Sequence, residues 1–341
     1  MKTEAFLLTK KGTAEEAFRL SEVALPALKE NDILIATEAF GLNYADVMAR
    51  RGLYREAPPF PCVIGYEVVG KIIETGSSAD TSLIGKRVVA FTRFGGYAKH
   101  AVTTKDAIAE IGEMPVNDAL ALATQGVTAY YMTNYISPLR TGEHVLIHAA
   151  AGGVGTLLIQ LAKHAGAIVL AKVSSKEKQE KCLSLGADYT INYRNENYAQ
   201  AVERIIGSKK LDVSFNPIGG DTFKTDKQLL GFGSRIFLFG GSQLAEGKFG
   251  MLSQLNFLRK MGVSIPVFLM MQSKSLIGVN MLKIADNKPL VLQWCMQEVI
   301  RLYHEGKLTT ENGGDFSYAE MHQAHNLLES GKSIGKIAVH W

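Results

Sequence analysis

Along residues 1–123 the apolar positions come in short runs broken by glycine: "DILIATEAFGLN", "CVIGYEVVGKIIETG", "GKRVVAF" and "GGYAKHAVTTKDAIAEI". Short apolar runs with turn signals at regular spacing predict a barrel-like β domain. The pattern changes after Pro115. "VNDALALATQGVTAYYMTNY" has helical spacing, and from there strands and helices alternate. "EHVLIHA", "AIVLAKV", "YTINY", "LDVSFNPIG" and "SRIFLFGG" read as buried strands. "GVGTLLIQLAKHAG", "KEKQEKCLSLG", "YAQAVERIIG" and "TFKTDKQLLG" read as the helices between them. Such alternation predicts a doubly wound parallel sheet with right-handed crossovers. The apolar run "VSIPVFLM" (263–270) is expected to be its edge strand. In the tail, "LVLQWCMQEVIRLYHEGKL" and "SYAEMHQAHNLLESGKS" have helical spacing, and "IGKIAVHW" reads as a last strand. These tail elements need a partner surface, and the first domain offers it. The predicted class is α/β: a β-rich domain over 1–123, completed by 275–341, and a parallel-sheet domain over 124–274.

Length agrees with two domains, because single cores stop growing at roughly 250–300 residues. The chain has 341 residues, with 37 Lys+Arg against 33 Asp+Glu, a net +4. Without a basic run this small excess does not argue for nucleic acid. Cys62, Cys182 and Cys295 are far apart, with no C-x-x-C, so neither a disulfide framework nor a structural zinc lobe is indicated. "VSIPVFLMM" is too short to span a bilayer and contains Pro266. The start, "MKTEAFLLTKKG", lacks an apolar stretch of signal-peptide length. The expectation is a soluble, cytoplasmic protein with no stable membrane insertion. His322 and His325 lie one helical turn apart, on what reads as a solvated helix face.

The chemistry-bearing stretch is "HAAAGGVG", residues 148–155, at a strand-to-helix turn inside a βαβ unit. That is the context a dinucleotide fingerprint G-x-G-x-x-G requires. Ala150 stands at the first glycine position, which is tolerable where φ is negative. Gly152 lets the backbone approach a pyrophosphate, and Gly155 lets the helix pack closely on the strand. Gly153 and Val154 open the helix, whose N–H groups and partial positive charge favour phosphate. About 20 residues on, NAD sites usually carry an acid that grips the ribose 2′-OH. Here the text is "KVSSKEK". Ser174 and Ser175, with Lys172, Lys176 and Lys178 around them, suit a 2′-phosphate. A serine at this place also serves as a helix N-cap.

A β domain, a Rossmann-like domain and a returning tail, in this order, resemble the medium-chain dehydrogenase/reductase superfamily. Within it the chain is similar to the zinc-independent quinone oxidoreductases, the zeta-crystallin group. "GLNYADVMARRGLY", "PCVIGYEVVGKI", "GVTAYYM", "HAAAGGVG", "LGADYTINYR" and "SIGKI" fall in that family's order over nearly the whole chain. Residues 245–285 resemble more closely the synaptic vesicle membrane protein branch. The resemblance implies a GroES-like β-rich domain beside a Rossmann domain. At the positions where zinc-dependent relatives place ligands, this chain has Asn43, Tyr66 and Thr124, which supply neither thiolate nor imidazole. No metal is expected. Hydride delivery from NADPH to an already electrophilic quinone or enone is the chemistry implied.

The resemblance also implies roles for single residues. Asn43 and Tyr44 of "GLNYAD" would stand by the nicotinamide, with Asn43 orienting the acceptor oxygen and Tyr44 packing on the cofactor or donating a proton. Tyr54 would line the acceptor pocket. Asp46 reads as a structural or capping residue. Thr128 would reach the cofactor, and Tyr193 would cover the adenine side. Phe239 and Gly240, and Phe268 of "PVFLM", would end strands on the cofactor face. Lys336 would sit near the cofactor. An apolar edge strand at 263–270, expected to pair antiparallel with its copy across a two-fold axis, and the resemblance together imply a homodimer. The resemblance also implies a small-molecule acceptor. Two other functions stay open: an enoyl-thioester or enone double-bond reductase, and a cofactor-binding protein with little catalysis.

Overall fold

Six parallel strands, His144–His148, Ile168–Val173, Tyr189–Asn192, Leu211–Asn216, Leu230–Leu238 and Ser275–Gly278, form one sheet in the computed structural model. The structure describes residues 1–246 and 250–341, with side chains described outside 245–254. Numbered along the chain, the strands lie in the spatial order 3-2-1-4-5-6. Strand order therefore reverses between the first and fourth strands. In doubly wound sheets the carboxyl ends of the strands open a crevice at that point, and ligands bind there. Helix Gly153–His164 follows the first strand and buries Leu157, Leu158, Ile159, Leu161 and Ala162. Helix Tyr198–Ile206 starts at Asn197, whose Oδ1 accepts from the N–H groups of Ala199 and Gln200 at 2.9 and 3.2 Å. Such a cap satisfies N–H groups that have no intrahelical partner. Leu146, Leu170, Ile191, Leu211, Phe223 and Ile236 lie in one core under these helices.

The edge of this sheet differs from the expectation. Residues 266–271 are helical, not a strand, and Ser275–Gly278 supplies the sixth strand, paired with 235–238. Pro266 occupies the first helical turn, where its missing N–H costs nothing and its fixed φ suits a helix. A short apolar run does not by itself distinguish a buried strand from a helix. Phe268 is accordingly 54% exposed on a helix rather than at a strand end.

The chain divides into two compact units, Met1–Val127 with Met281–Trp341, and Thr128–Asn280. The first unit is mostly antiparallel β. Its long strand Asp32–Leu42 is bordered by Glu67–Thr75, His100–Thr104 and the returning strand Lys336–His340. The returning strand pairs Ile337 with Leu42 and Ala338 with Gly41, so Lys336 arrives beside the loop that starts at Asn43. Phe40, Leu42, Ile64, Val68, Tyr97 and Ile337 are among the side chains that fill this unit's core. His325 corrects another expectation. Helix Met321–Glu329 buries it completely, with its Nε2 3.2 Å from the Tyr97 hydroxyl and its ring against Phe18. Burial pulls its pKa down to about 3, so it stays neutral.

Candidate functional site

The second unit presents a candidate dinucleotide cradle at the switch point of its sheet. Ala149 adopts the left-handed region (φ 50°), whereas Ala150 does not, so the replaced glycine position costs no strain. Gly152 caps helix Gly153–His164 without a side-chain hydrogen bond. The first-turn N–H groups are thus left for an anion or water. A Cβ on Gly155 would stand 2.5 Å from the Ala149 carbonyl oxygen and 2.6 Å from that of Ala150. A larger residue there would force the turn off the helix. The Ala150 N–H donates to the Lys172 carbonyl (3.2 Å), which ties the turn to the second strand.

Ser174 and Ser175 follow that strand, both partly exposed. The Ser175 Oγ accepts from the Lys178 N–H (3.3 Å) and caps helix Lys176–Ser184, so this serine is a cap as well as a candidate ligand. Burial and the nearby positive Arg194 pull the Lys178 ammonium below its ordinary pKa. Two cations held close together favour an anion beside them. Tyr193 is 46% exposed. The residues fit a phosphate-bearing dinucleotide: an uncapped helix start, a turn no side chain can enter, and a hydroxyl-and-cation loop where an acid would repel a 2′-phosphate. Lys172 does not belong to that loop's surface. It is buried and turned inward to His148. Thr128 lies buried and Phe239 half-buried in the same unit, and a Cβ on Gly240 would meet the Pro217 oxygen at 2.6 Å.

The first unit gathers a buried polar cluster around Asn43, at the start of helix Tyr44–Arg50. The Asn43 N–H donates to Asp46 Oδ2 (2.8 Å), and its Nδ2 donates to Glu67 Oε1 (2.9 Å). Its Oδ1 accepts from Lys336 Nζ (3.3 Å) and, at the limit of 3.5 Å, from Gln125 Nε2. Lys336 forms an ion pair with Glu67 and also donates to the Leu42 carbonyl (3.2 Å). Lys336 is fully buried, so the expectation that it reaches the cofactor gives way to a different role: it holds Glu67 and the Asn43 amide. Gly41 is needed here, because a Cβ would collide with both Glu67 and Lys336. Burial pushes the Asp46 carboxyl up to about 7; the Asn43 N–H and Lys336 hold it back, and Glu67 adds to the rise. Tyr44 is half-buried at the first helical position. Tyr54 packs edge-on to Tyr66 with ring centroids 6.2 Å apart.

Sequence reasoning missed Glu67 and the partner of Lys336. The available signal was a charged residue in each of two otherwise apolar strands, "GYEVV" and "GKIAV". It also missed Asp226, which looks like an ordinary helix-surface acid in "FKTDKQLL" but is fully buried.

Residues 29–134 match the alcohol dehydrogenase GroES-like domain, and residues 153–297 match the zinc-binding dehydrogenase family. The chain is 28% identical to the synaptic vesicle membrane protein VAT-1 homolog of Danio rerio, over 98% of this chain and 69% of that protein. It is 30% identical to a 2-haloacrylate reductase from Burkholderia sp, over 64% of this chain and 68% of that protein. The crystal structure of Escherichia coli quinone oxidoreductase complexed with NADPH superposes with a TM-score of 0.86, at 26% identity, covering 99% of this chain and 100% of that one. The zinc in the second family's description does not fit the residues here. Asn43, Tyr66 and Thr124 offer an amide, a phenol and a hydroxyl. Among the described residues no three His, Cys, Asp or Glu side chains come together as ligands. Both domain matches, in this order on a β-rich unit and a 3-2-1-4-5-6 parallel sheet, place the chain in the medium-chain dehydrogenase/reductase superfamily, to which it belongs alongside the quinone oxidoreductases and VAT-1 homologues.

Proposed function

We propose that the protein is an NADPH-dependent reductase of quinones or related conjugated carbonyl acceptors, working by zinc-free hydride transfer. The observation that carries this reading is the ribose loop: Ser174 and Ser175 in place of an acid, with the Lys178 and Arg194 cations beside them. NADPH, when bound, supplies the hydride. The turn at Gly152, Gly153 and Val154 seats its pyrophosphate. Ser174, Ser175 and Lys178 hold the 2′-phosphate, and Tyr193 covers the adenine. Thr128 and the backbone at Phe239 and Gly240 complete the cofactor contacts. Asn43, Tyr44 and Tyr54 serve the acceptor. The Asn43 amide is fixed from both ends by Glu67 and Lys336, and its second Nδ2 hydrogen has no partner among the described residues. A donor held in place before reaction stabilises developing negative charge on an acceptor oxygen without reorganising.

The test compares kcat/KM for NADPH and NADH over a panel of quinones and enones, in wild type and Lys178→Ala. Hydrogen bonds to charged groups contribute roughly 1.5–3 kcal/mol each, and partial exposure places the effect at the low end. The expected result is an NADPH preference of at least about tenfold that Lys178→Ala largely removes. Equal values in wild type would defeat the cofactor assignment. The 2-haloacrylate reductase relative supports a second reading, reduction of an activated double bond; enones turned over in preference to quinones would favour it. Tight NADPH binding without turnover of any acceptor would leave only a cofactor-binding protein.

We also infer a homodimer in solution. The Ser275–Gly278 strand pairs on one side only among the described residues. Exposed Phe232, Val263, Met270, Met271 and Leu276 lie on or close in sequence to the last two strands of this sheet. An open strand edge with apolar neighbours favours pairing with a second copy. Light scattering at micromolar concentration should give twice the chain mass; a monomer would end this reading. No helix among the described residues is long and apolar enough to cross a membrane.

A further inference from the structure

Beneath the nucleotide face of the second unit runs a buried charge relay. Lys172, near the end of its strand, is 4% exposed. Its ammonium approaches His148 Nδ1 at 3.2 Å and lies over the rings of Tyr198 and Tyr193, 4.0 and 5.1 Å from their centroids. The other imidazole nitrogen of His148 faces Asp226 at 2.9 and 3.1 Å. An ammonium can only donate, so Nδ1 must accept and the His148 proton sits on Nε2, toward Asp226. Burial, with the Lys172 charge adding to it, keeps the pKa of this histidine low despite the opposing pull of Asp226. Burial would raise the Asp226 carboxyl, but His148, Ser214 and Asn216 outweigh it and hold the group anionic. Ser214 Oγ and Asn216 Nδ2 each donate to it at 2.7 Å, and the Tyr198 hydroxyl donates at 3.0 Å. The arrangement is a cation, a neutral imidazole of fixed tautomer, and a fully satisfied anion.

The two ends of the relay stand in different places. Asp226 is fully buried on helix Gly220–Leu229. Lys172 stands two residues before Ser174, and the exposed Tyr193 ring lies on it. The positive end is therefore the one nearer the ribose loop. We propose that Lys172, held by His148 and Asp226, is a positioning residue that sets the selectivity of the ribose loop for a phosphate-bearing ribose from beneath. It anchors the Tyr193 ring and adds a weakly screened positive charge below it. This rests on the cofactor reading above.

The probes are adenosine 2′,5′-bisphosphate and adenosine 5′-monophosphate, bound to the full-length protein and followed by calorimetry. Lys172→Met should weaken the bisphosphate roughly tenfold and the monophosphate less than about twofold, as removal of one charge from a low-dielectric site requires. Lys172→Arg should restore most of the difference. The loss should persist at about 0.5 M salt, since buried charges escape the screening that weakens exposed ones. If the methionine variant does not fold, Lys172→Gln, which still donates to His148, carries the same expectation. Equal weakening of both probes would reduce Lys172 to a packing role and overturn the proposal, as would an unchanged ratio. A wild type with no preference for the bisphosphate would overturn the cofactor reading as well. A wild-type preference that survives Lys172→Met would overturn this inference alone.

Discussion

Lys336→Met is expected to destabilise the first unit by about 3–5 kcal/mol, the usual consequence of removing one member of a buried ion pair. Lys336 and Glu67 are both fully buried. Without the ammonium, the Glu67 carboxylate keeps only the Asn43 amide as a donor, because its Oε2 has no partner. The Leu42 carbonyl and Asn43 Oδ1 lose a donor at the same time. The double variant Glu67→Gln/Lys336→Met should recover much of the loss, since no charge is then stranded. Urea unfolding followed by tryptophan fluorescence measures both. A single-variant cost below about 1 kcal/mol, or a double variant as unstable as the single, would contradict the argument.

Asp46 predicts a pH dependence of the opposite sense to that of most carboxylates. Its folded pKa, pushed up to about 7 chiefly by burial, stands above the ordinary value of 3.8. Between those two values the folded state binds the proton and the unfolded state does not. Stability is then complete below about pH 4 and is lost as pH rises through about 7. A shift of this size corresponds to about 4 kcal/mol as an upper bound. Asp46→Asn keeps an acceptor for the Asn43 N–H and cannot ionise. It should therefore be no more stable than wild type near pH 4–5 and more stable near pH 8. All other titrating groups are common to both proteins, so the difference between their unfolding free energies isolates this one. Parallel curves from pH 5 to pH 8 would show that Asp46 ionises normally in the folded protein.

The parts of the fold legible in the sequence were those written in periodicity. Alternating runs from "EHVLIHA" to "SRIFLFGG" predicted the strands of the parallel sheet, and "IGKIAVHW" the strand that returns to the first unit. Glycines at 152 and 155 marked the turn, because a turn so close to backbone oxygens excludes a side chain whatever its surroundings. The misreadings share a cause. Residues 266–271 are apolar in either secondary structure, and only Pro266 hinted at a helix start. Lys172 and Lys336 read as cations facing the cofactor, yet each is held inside by an acid distant in the chain, Asp226 through His148 and Glu67 directly. Pairings over such separations depend on register and crossover. No local pattern encodes them.

The path of the chain sets an order on synthesis. The first unit is interrupted: residues 128–280 lie between its early strands and the strand that carries Lys336. Glu67 and Asn43 are made early, but their cation is made only after the whole second unit. Domains generally fold as units in the order they leave the ribosome. Here the later unit can finish first, since its sheet and Asp226 are all encoded within 128–280. The β-rich unit must meanwhile wait, with the Glu67 carboxyl lacking its cation and the strand edge at Ala39–Leu42 unpaired. A growing chain in that state is exposed to strand addition by a neighbour, and the interval of exposure is set by the time needed to translate the insertion.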